Sequence, residues 1–183
     1  MHTVSTTRDR ALDAGIALLA SGGLRALTHT RVDDRAELPR GSTSNHFRTR
    51  DALWVGVADR ILERELEMVD ATVVPASSAE FVDALCGLYA LATAPMRDVT
   101  TARLVLFVEG SHHPALRAAL SRGRALMMAS AERLMSAFGV ADPAAVAVAL
   151  GAVYEGMLLH AVARGDDADP RPALELVVRG ASG

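Results

Sequence analysis

The sequence is poor in aromatic residues, has a single cysteine, and contains no apolar run that continues without a charged residue for the length of a membrane span. Scarce aromatic side chains beside abundant alanine, leucine and valine argue against an aromatic-rich β-sandwich and favour helices. The lone Cys86 cannot form a disulfide within the chain, and its apolar surroundings predict a small buried side chain. The N-terminus lacks a basic flank followed by an apolar core, so we expect a soluble cytoplasmic protein without a membrane partner.

Lysine is absent, and all nineteen basic residues are arginine, to which we attach no mechanistic meaning. The charge is unevenly distributed along the chain. Residues 1–50 carry eight arginines against five acids, a net charge of +3, whereas the remainder carries eleven arginines against seventeen acids, a net charge of −6. Because phosphate binding needs local positive charge, this asymmetry predicts that only the N-terminal segment meets a polyanion.

The N-terminal part of the chain has apolar residues at helical spacing, interrupted by residues that stop or start helices. Two short helices with a tight turn between them are predicted there, and this arrangement is typical of a helix-turn-helix. The pattern predicts a first helix from Ser5 to Ser21, a second capped by Thr28, a third from Pro39 to about Asn45, and a long fourth capped by Thr49 and ending near Ala71.

The C-terminal part reads as further helices, so we predict an all-α fold without strands. The Pro-Ala-Ser-Ser stretch at 75–78 is the clearest boundary, with Ser77 or Ser78 capping the next helix. We therefore expect a helix-turn-helix domain over 1–50, a connecting helix over 51–74 and a helical domain over 75–183. Its predicted helices cover 79–93, 97–111, 115–138, 143–164 with an Asp142 cap, and 172–180.

The stretch from Pro39 to Phe47 is polar where an apolar pattern would otherwise continue. A recognition helix needs such a face because it lies in a DNA groove. Gly41 would let the backbone approach the DNA, and Phe47 would return the chain to its core. The same composition also fits a solvated loop. Donors to DNA are predicted at Arg40, Ser42, Ser44, Asn45 and His46.

The span from Thr7 to Val57 resembles the N-terminal domain of the TetR family of bacterial one-component regulators. The resemblance rests on a first helix that ends in glycine, followed by the stretches THTRVDDRAEL, PRGSTSNHF and RTRDAL. The positions that match the family pattern are Thr28, Val32, Ala36, Gly41, Ser42, Phe47, Arg50, Asp51 and Leu53. The resemblance implies a fold with a helix-turn-helix reader and function as a DNA-binding regulator.

Four residues depart from the family pattern. Asp33 stands where a small buried alanine is usual, Glu37 replaces the turn glycine, Thr43 replaces an apolar core residue, and Ser44 replaces a common tyrosine. We expect Asp33 to be a surface carboxylate; partial burial beside Arg31 or Arg35 is the alternative. The loss of the tyrosine affects the preferred DNA sequence.

The resemblance also assigns roles to individual residues of the reader. Thr28 would cap the second helix near a phosphate, and Thr30 would point into the groove. Arg40 and Ser42 would touch base edges, while Ser44, Asn45 and His46 would be shared between bases and phosphates. Arg50 would bind a phosphate at the start of the fourth helix.

The C-terminal part resembles the family's ligand-binding and dimerisation domain. A cavity there would accept a small, mostly apolar effector, although a solid core would have a similar sequence. The small residues Ala144, Val148, Gly151 and Ala152 predict a dimer interface, or alternatively an internal core face. The predicted ligand-binding residues are Leu85, Tyr89, Arg103, Phe107, Met128, Tyr154 and Met157.

Together these features predict a dimeric transcriptional repressor that binds a pseudo-palindromic operator in double-stranded DNA and leaves it when an effector binds. The long helix from Thr49 to Ala71 is expected to transmit the effect, as the only long element that packs its start against the helix-turn-helix and its end against the C-terminal domain. An activator of the same fold and a helical protein that no longer binds DNA are the alternatives. We expect no enzyme, because phosphate loops and nucleophile motifs are lacking, and no cofactor or metal, because Pro114 interrupts the Glu109 and His113 pair.

Overall fold

The computed structural model describes residues 6–70 and 74–180, and these form helices with no strand among them, which confirms the all-α prediction. In chain order the α-helices are α1 (Thr7–Gly22), α2 (His29–Arg35), α3 (Ser42–His46), α4 (Arg50–Asp70), α5 (Ser78–Thr93), α6 (Arg97–Glu109), α7 (Pro114–Ala137), α8 (Pro143–Arg164) and α9 (Arg171–Gly180). A short 3₁₀-helix, Leu24–Ala26, connects α1 to α2.

The chain divides into two compact units. Unit 1 comprises Met1–Leu66 and Asp98–Ser121, and unit 2 comprises Glu67–Arg97 and Arg122–Gly183. The contacts thus assign residues 98–121, which the sequence boundary at 75 places in the C-terminal domain, to the N-terminal unit. The reason is that Ala102 and Leu106 of α6 and Leu116 of α7 are buried in one core cluster with α1 and α4.

Unit 1 is organised around α1 and α4. Leu12 and Leu19 of α1 are fully buried with Leu53 and Val57 of α4. The two helices approach closely at Gly15, where an added Cβ would lie 2.8 Å from Val57 Cγ2. A larger side chain at Gly15 would separate α1 from α4, the two helices around which unit 1 is organised.

Ion pairs also join α1 to α4. Oδ1 of Asp13 accepts a hydrogen bond from Nε of Arg60 at 2.9 Å. Oδ2 accepts hydrogen bonds from Nη2 of Arg60 and from Nη2 of Arg64, both at 3.2 Å. The hydrogen bond to Asp13, together with that to Glu63, raises the pKa of Arg60 despite partial burial. Because the Asp13–Arg60 pair is bidentate, it fixes the register of the two helices better than a single-point contact would.

Unit 2 has its own core, formed largely by α5, α8 and α9 with the end of α7. Met135 and Leu174 are fully buried, and Phe81 and Leu150 nearly so. A second cluster contains Tyr89 and Leu158. The two predicted caps of this region are confirmed: the side chain of Ser77 accepts from the amide of Glu80, and that of Asp142 from the amide of Ala145, with Pro143 as the first residue of α8.

The start of the third helix was predicted wrongly. α3 begins at Ser42, not at Pro39, because the chain between α2 and α3 uses two positive φ angles, 53° at Glu37 and 89° at Gly41. The amide of Leu38 donates to the carbonyl of Asp33, and that of Glu37 to the carbonyl of Asp34, so α2 ends in a Schellman motif with Glu37 at the position that glycine normally occupies. Ser5 and Ala71, the predicted limits of two other helices, lie outside the described residues.

The helix α8 is long and apolar enough to cross a membrane by length and composition, and 22% of its most apolar window is buried within the chain. A core helix of a soluble protein can have the same length and composition, and α8 packs against α5 and α9. Exposed apolar side chains on α8 include Val148, which is 56% exposed, and Leu159, which is 45% exposed. Among the described residues, part of the apolar surface of α8 therefore remains exposed.

Candidate nucleic-acid interface

The helix-turn-helix is formed by α2, the turn and α3, all within unit 1. Thr28 caps α2 as predicted, with its hydroxyl accepting from the amide of Arg31 at 3.4 Å. Val32 of α2 is fully buried and Phe47, the C-cap of α3, is 6% exposed, so both helices of the motif are anchored in the core. The amide of Ala52 donates to the hydroxyl of Thr49 at 3.1 Å, which confirms the predicted cap of α4.

The side chain of Asp33 is buried in the turn. It is 2% exposed, and its partners are neither Arg31 nor Arg35, so the prediction of a surface carboxylate was wrong. Oδ2 accepts from the amide of Gly41 at 2.8 Å, while Oδ1 accepts from the amide of Thr43 at 2.8 Å and from its hydroxyl at 2.5 Å. Asp33 and Thr43, two departures from the family pattern, therefore hydrogen-bond to each other.

These contacts determine the ionisation of Asp33. Burial by itself would raise the pKa of the carboxyl group, but the hydrogen bonds from Thr43 and Gly41, with the nearby His29, lower the pKa below its ordinary value. The carboxylate form is therefore the stable one. A charged group is tolerated at this depth because three donors converge on it.

Most of the predicted DNA-binding side chains lie on the surface of this motif. Thr30, Arg40, Ser44, Asn45, His46 and Arg50 are exposed, and Thr28, Gly41 and Ser42 are partly exposed. Ser42 is already engaged, because its hydroxyl donates to the carbonyl of Pro39 at 2.6 Å. By contrast, Thr43, which lies between Ser42 and Ser44 in the sequence, is fully buried. The alternation gives α3 one inward and one outward face, which a solvated loop would lack.

Arg50 is exposed at the start of α4, and its guanidinium lies over the ring of Trp54, 4.9 Å from the centroid. The rings of Trp54 and His113 are nearly perpendicular, with centroids 4.6 Å apart. Stacking on an aromatic ring restricts a guanidinium without consuming its hydrogen-bond donors. Arg50 can thus be held in place and still present its N–H groups to an anion.

The predicted ligand-binding residues are divided between the two units. Arg103 and Phe107 belong to unit 1, where Arg103 Nε is 2.8 Å from Glu65 Oε1 and Phe107 is 50% exposed. In unit 2, Leu85 packs beside the larger core cluster, and Met128 faces Gly151. Tyr89, Tyr154 and Met157 do lie together: the two tyrosine rings are 6.1 Å apart, and both Tyr154 and Met157 pack against the second cluster.

A cleft of about 300 Å³ opens next to Tyr89. Tyr89 is 7% exposed, and burial, followed by the charge of Asp166, raises the pKa of its hydroxyl. Sequence reasoning found Tyr89 but missed the rest of the lining, since the residues between α8 and α9 carry no apolar pattern. The lining residues are Tyr89, Ala90, Thr93, Arg97, Ala161, Gly165, Asp166, Asp167, Ala168, Asp169 and Pro170.

Two smaller expectations concern cysteine and metal. Cys86 is partly exposed, not fully buried as expected, and burial raises the pKa of its thiol. In the described ranges, no group of three or more His, Cys, Asp or Glu side chains is placed to hold a metal ion. The helix carrying Glu109 ends there, and α7 begins at Pro114, so Glu109 and His113 do not share a helix.

Comparisons with known proteins agree with this geometry. The family model described as the tetracyclin repressor-like C-terminal domain matches residues 76–183, which is more than half of the chain. A TetR family member from Streptomyces coelicolor A3 is 28% identical, with a TM-score of 0.77 over 95% of this chain and 98% of the other. The multidrug binding protein EbrR in complex with ethidium is 26% identical, with a TM-score of 0.76 over 94% and 96%.

A transcriptional regulator from Rhodococcus sp. Rha1 has a TM-score of 0.83 over 96% of both chains at 16% identity, which shows the shared fold. No curated protein sequence matches this chain. The all-helical architecture, the helix-turn-helix in unit 1 and the match over residues 76–183 agree with one another. The chain belongs to the TetR family of transcriptional regulators.

Proposed function

We propose that this chain is a homodimeric repressor that binds a pseudo-palindromic operator and is released from it by a small, mostly apolar effector. The observation that supports DNA reading most directly is the division of α3 into a buried face at Thr43 and an exposed polar face at Ser44, Asn45 and His46. Polar side chains on one short helix can hydrogen-bond to base edges in the major groove.

The charge distribution supports the same orientation on DNA. The buried Asp33 is bonded within the turn, so its charge is withdrawn from the surface. Exposed arginines are Arg31, Arg35 and Arg40 of the motif and Arg50 at the start of α4. Exposed positive charge attracts the DNA backbone. We therefore assign Arg50 to a phosphate and Arg40 to a base edge.

Two arginine variants test this assignment. A duplex that the wild-type chain selects from a random library serves as operator, and a scrambled duplex of the same composition serves as control. Arg50→Ala should weaken binding to both duplexes and reduce the slope of log affinity against log salt by about one, whereas Arg40→Ala should mainly lower the preference for the selected duplex. If the wild-type chain selects no duplex, the proposed function is wrong.

The exposed apolar residues of α8 support dimerisation through a second copy of this chain. Three of the four predicted interface residues, Ala144, Val148 and Ala152, are exposed. The fourth, Gly151, packs within its own chain, since an added Cβ would lie 2.8 Å from Met128 Cε. Val148→Arg is therefore the sharper test than a change at Gly151.

Light scattering at micromolar concentration should show a dimer for the wild-type chain and a monomer for Val148→Arg, because a charge buried at an apolar interface is costly. Ala94→Arg, at an exposed turn after α5, adds the same charge and should remain dimeric. A dimeric Val148→Arg, or a monomeric wild-type chain with full operator affinity, would contradict the interface.

We place the effector in unit 2, at Tyr89, Tyr154 and Met157 beside the cleft. EbrR is a relative whose structure holds ethidium, so ethidium is a suitable first probe. Tyr89→Ala should weaken ethidium binding measured by fluorescence, whereas Phe107→Ala, in unit 1, should not. The reverse result would move the site to α6.

Release of DNA requires linkage between the two sites. A bound effector must lower operator affinity by the same factor by which operator DNA lowers effector affinity. The predicted connecting helix, α4, contributes residues to both units, but α7 does so as well, so it is not the only long element of this kind. An effector that stabilises the protein and leaves operator affinity unchanged would contradict the switch.

A further inference from the structure

Two side chains of α2 reach the two ends of α3. At the N-terminal end, the carboxylate of Asp33 accepts hydrogen bonds from the Gly41 amide and from the Thr43 amide and hydroxyl, at 2.5 to 2.8 Å. At the C-terminal end, Nε2 of His29 lies 2.7 Å from the carbonyl oxygen of Phe47, the C-cap of α3. A carbonyl can only accept, so Nε2 carries the donated proton.

His29 and Asp33 are four residues apart and therefore occupy the same face of α2. Their partners, Gly41 and Phe47, immediately flank α3. The recognition helix is thus held by one polar side chain at each end, and both side chains come from the neighbouring helix.

This matters because α3 is only five residues long. A helix of little more than one turn has almost no stability of its own, so its direction is set by what surrounds it. Apolar contacts such as that of Phe47 are not directional, whereas hydrogen bonds constrain both distance and angle. The two polar anchors therefore supply the orientation that the apolar core does not.

We propose that Asp33 and His29 are positioning residues for DNA reading. They fix the direction of α3 against α2, and through it the alignment of Ser44 and Asn45 with base edges. The bond from Gly41 to Asp33 also fixes the turn that carries Arg40. Asp33 does this without touching DNA, because it is 2% exposed. The inference rests on the proposed DNA-reading function, and adds residues outside the contact surface to it.

The chemistry at Asp33 requires a carboxylate. Both of its oxygens accept, one from Gly41 and the other from Thr43. An amide has only one acceptor oxygen, so Asp33→Asn must turn its NH₂ group towards a backbone N–H at one of the two positions. That variant keeps the size of the side chain and loses one end of the anchor.

The test compares Asp33→Asn with Asp34→Asn in the full-length chain. Asp34 is the next residue of α2, is exposed, and loses the same charge on substitution, so it controls for the weaker repulsion of DNA. The probes are the duplex selected by the wild-type chain and its scrambled counterpart, and the readout is the ratio of the two affinities. Binding is measured well below the thermal unfolding midpoint of each variant.

Asp33→Asn should lower this ratio by about tenfold or more, the equivalent of one misaligned base contact, while binding to the scrambled duplex persists through phosphate contacts. Asp34→Asn should leave the ratio unchanged. His29→Ala should also lower the ratio, with exposed His112→Ala as its control. If the wild-type chain selects a duplex but Asp33→Asn and Asp34→Asn have equal affinity ratios, the proposal is overturned and the proposed function stands.

A structural role alone has a different signature. If Asp33→Asn merely destabilised the fold, the folded fraction would bind both duplexes with reduced but proportionate affinity, and the ratio would stay constant; this result also overturns the proposal. If Asp33→Asn does not fold, Thr43→Val decides by the same ratio, since it removes the 2.5 Å hydroxyl bond and retains both amide donors.

Discussion

Gly56 of α4 allows Phe47, the residue that ends the recognition helix, to pack in the core. A Cβ added at Gly56 would lie 2.5 Å from Cε1 and 3.1 Å from Cζ of Phe47, and 3.3 Å from Cδ2 of Leu12. Carbon atoms do not approach to 2.5 Å, and the ring cannot move outward freely because Phe47 is 6% exposed and packed in the core cluster. Gly56→Ala must therefore displace the ring or α4.

The size of the effect follows from two opposing terms. Overpacking of a core typically costs about 1–3 kcal/mol. Replacement of glycine by alanine inside a helix returns about 1 kcal/mol through backbone entropy. An approach of 2.5 Å places Gly56→Ala in the upper part of the overpacking range, about 2–3 kcal/mol. We therefore expect the free energy of unfolding of unit 1 to fall by about 1–2 kcal/mol, which corresponds to a urea midpoint lower by about 1–2 M if the slope is near 1 kcal/mol per M.

Trp54 is the only tryptophan and lies in unit 1, so its fluorescence follows the unfolding of that unit. Gly87→Ala is the matched control, because Gly87 lies inside α5 of unit 2 and an added Cβ there meets nothing within 4 Å. Gly87→Ala should leave the Trp54 midpoint unchanged or raise it. Phe47→Leu should partly rescue Gly56→Ala in a double-mutant cycle, since it removes the clashing ring. A Trp54 midpoint for Gly56→Ala at or above that of the wild-type chain would refute the steric argument.

Three further predictions concern unit 1. Glu37→Gly should raise the free energy of unfolding by about 1 kcal/mol in urea titrations, because glycine adopts the positive φ of 53° without strain; a lower midpoint would contradict this. Asp13→Asn should lower it by about 1 kcal/mol, and by less in 1 M salt (about 3 Å screening length), because the pairs with Arg60 and Arg64 are partly exposed; a loss independent of salt would count against an ionic role. Because the pKa of Asp33 is lowered in the folded state, the stability that its charge contributes is complete above the ordinary value of 3.8 and is lost as the pH falls through the lowered pKa. The difference in free energy of unfolding between the wild-type chain and Asp33→Asn should therefore be constant from about pH 5 to 8 and shrink below about pH 4. A difference that already shrinks near pH 6 would show that another group causes the pH dependence.

Local signals allowed most of the fold to be predicted. Thr28, Ser77 and Asp142 cap helices through bonds to amides three residues ahead, so both partners fall within one short stretch of sequence. The bond between Asp33 and Thr43 spans ten residues and exists only once the turn has formed, and sequence reasoning treated the two residues as separate anomalies. Pro39 suggested a helix start, but the left-handed backbone at Gly41 delays it to Ser42.

The predicted ligand-binding residues were harder to place because α6 has apolar residues on more than one side. Ala102 and Leu106 face the core of unit 1, whereas Phe107 and Val108 are 50% and 67% exposed. Spacing alone does not decide which apolar side of such a helix is buried, since the answer depends on the partner helices. In α8 the aromatic Tyr154 could be paired with Tyr89 only after the two helices were seen together.

The mutual dependence of Asp33 and Thr43 has a consequence for how this pair could arise from an alanine and an apolar residue. Threonine alone would bury one hydroxyl without a partner, which costs about 1–3 kcal/mol. Aspartate alone would bury a charge and lose the hydroxyl that donates at 2.5 Å, although the amides of Gly41 and Thr43 remain. Each single change therefore leaves a buried polar group with fewer partners than it has in the pair. We therefore expect substitutions at residues 33 and 43 to be coupled rather than independent.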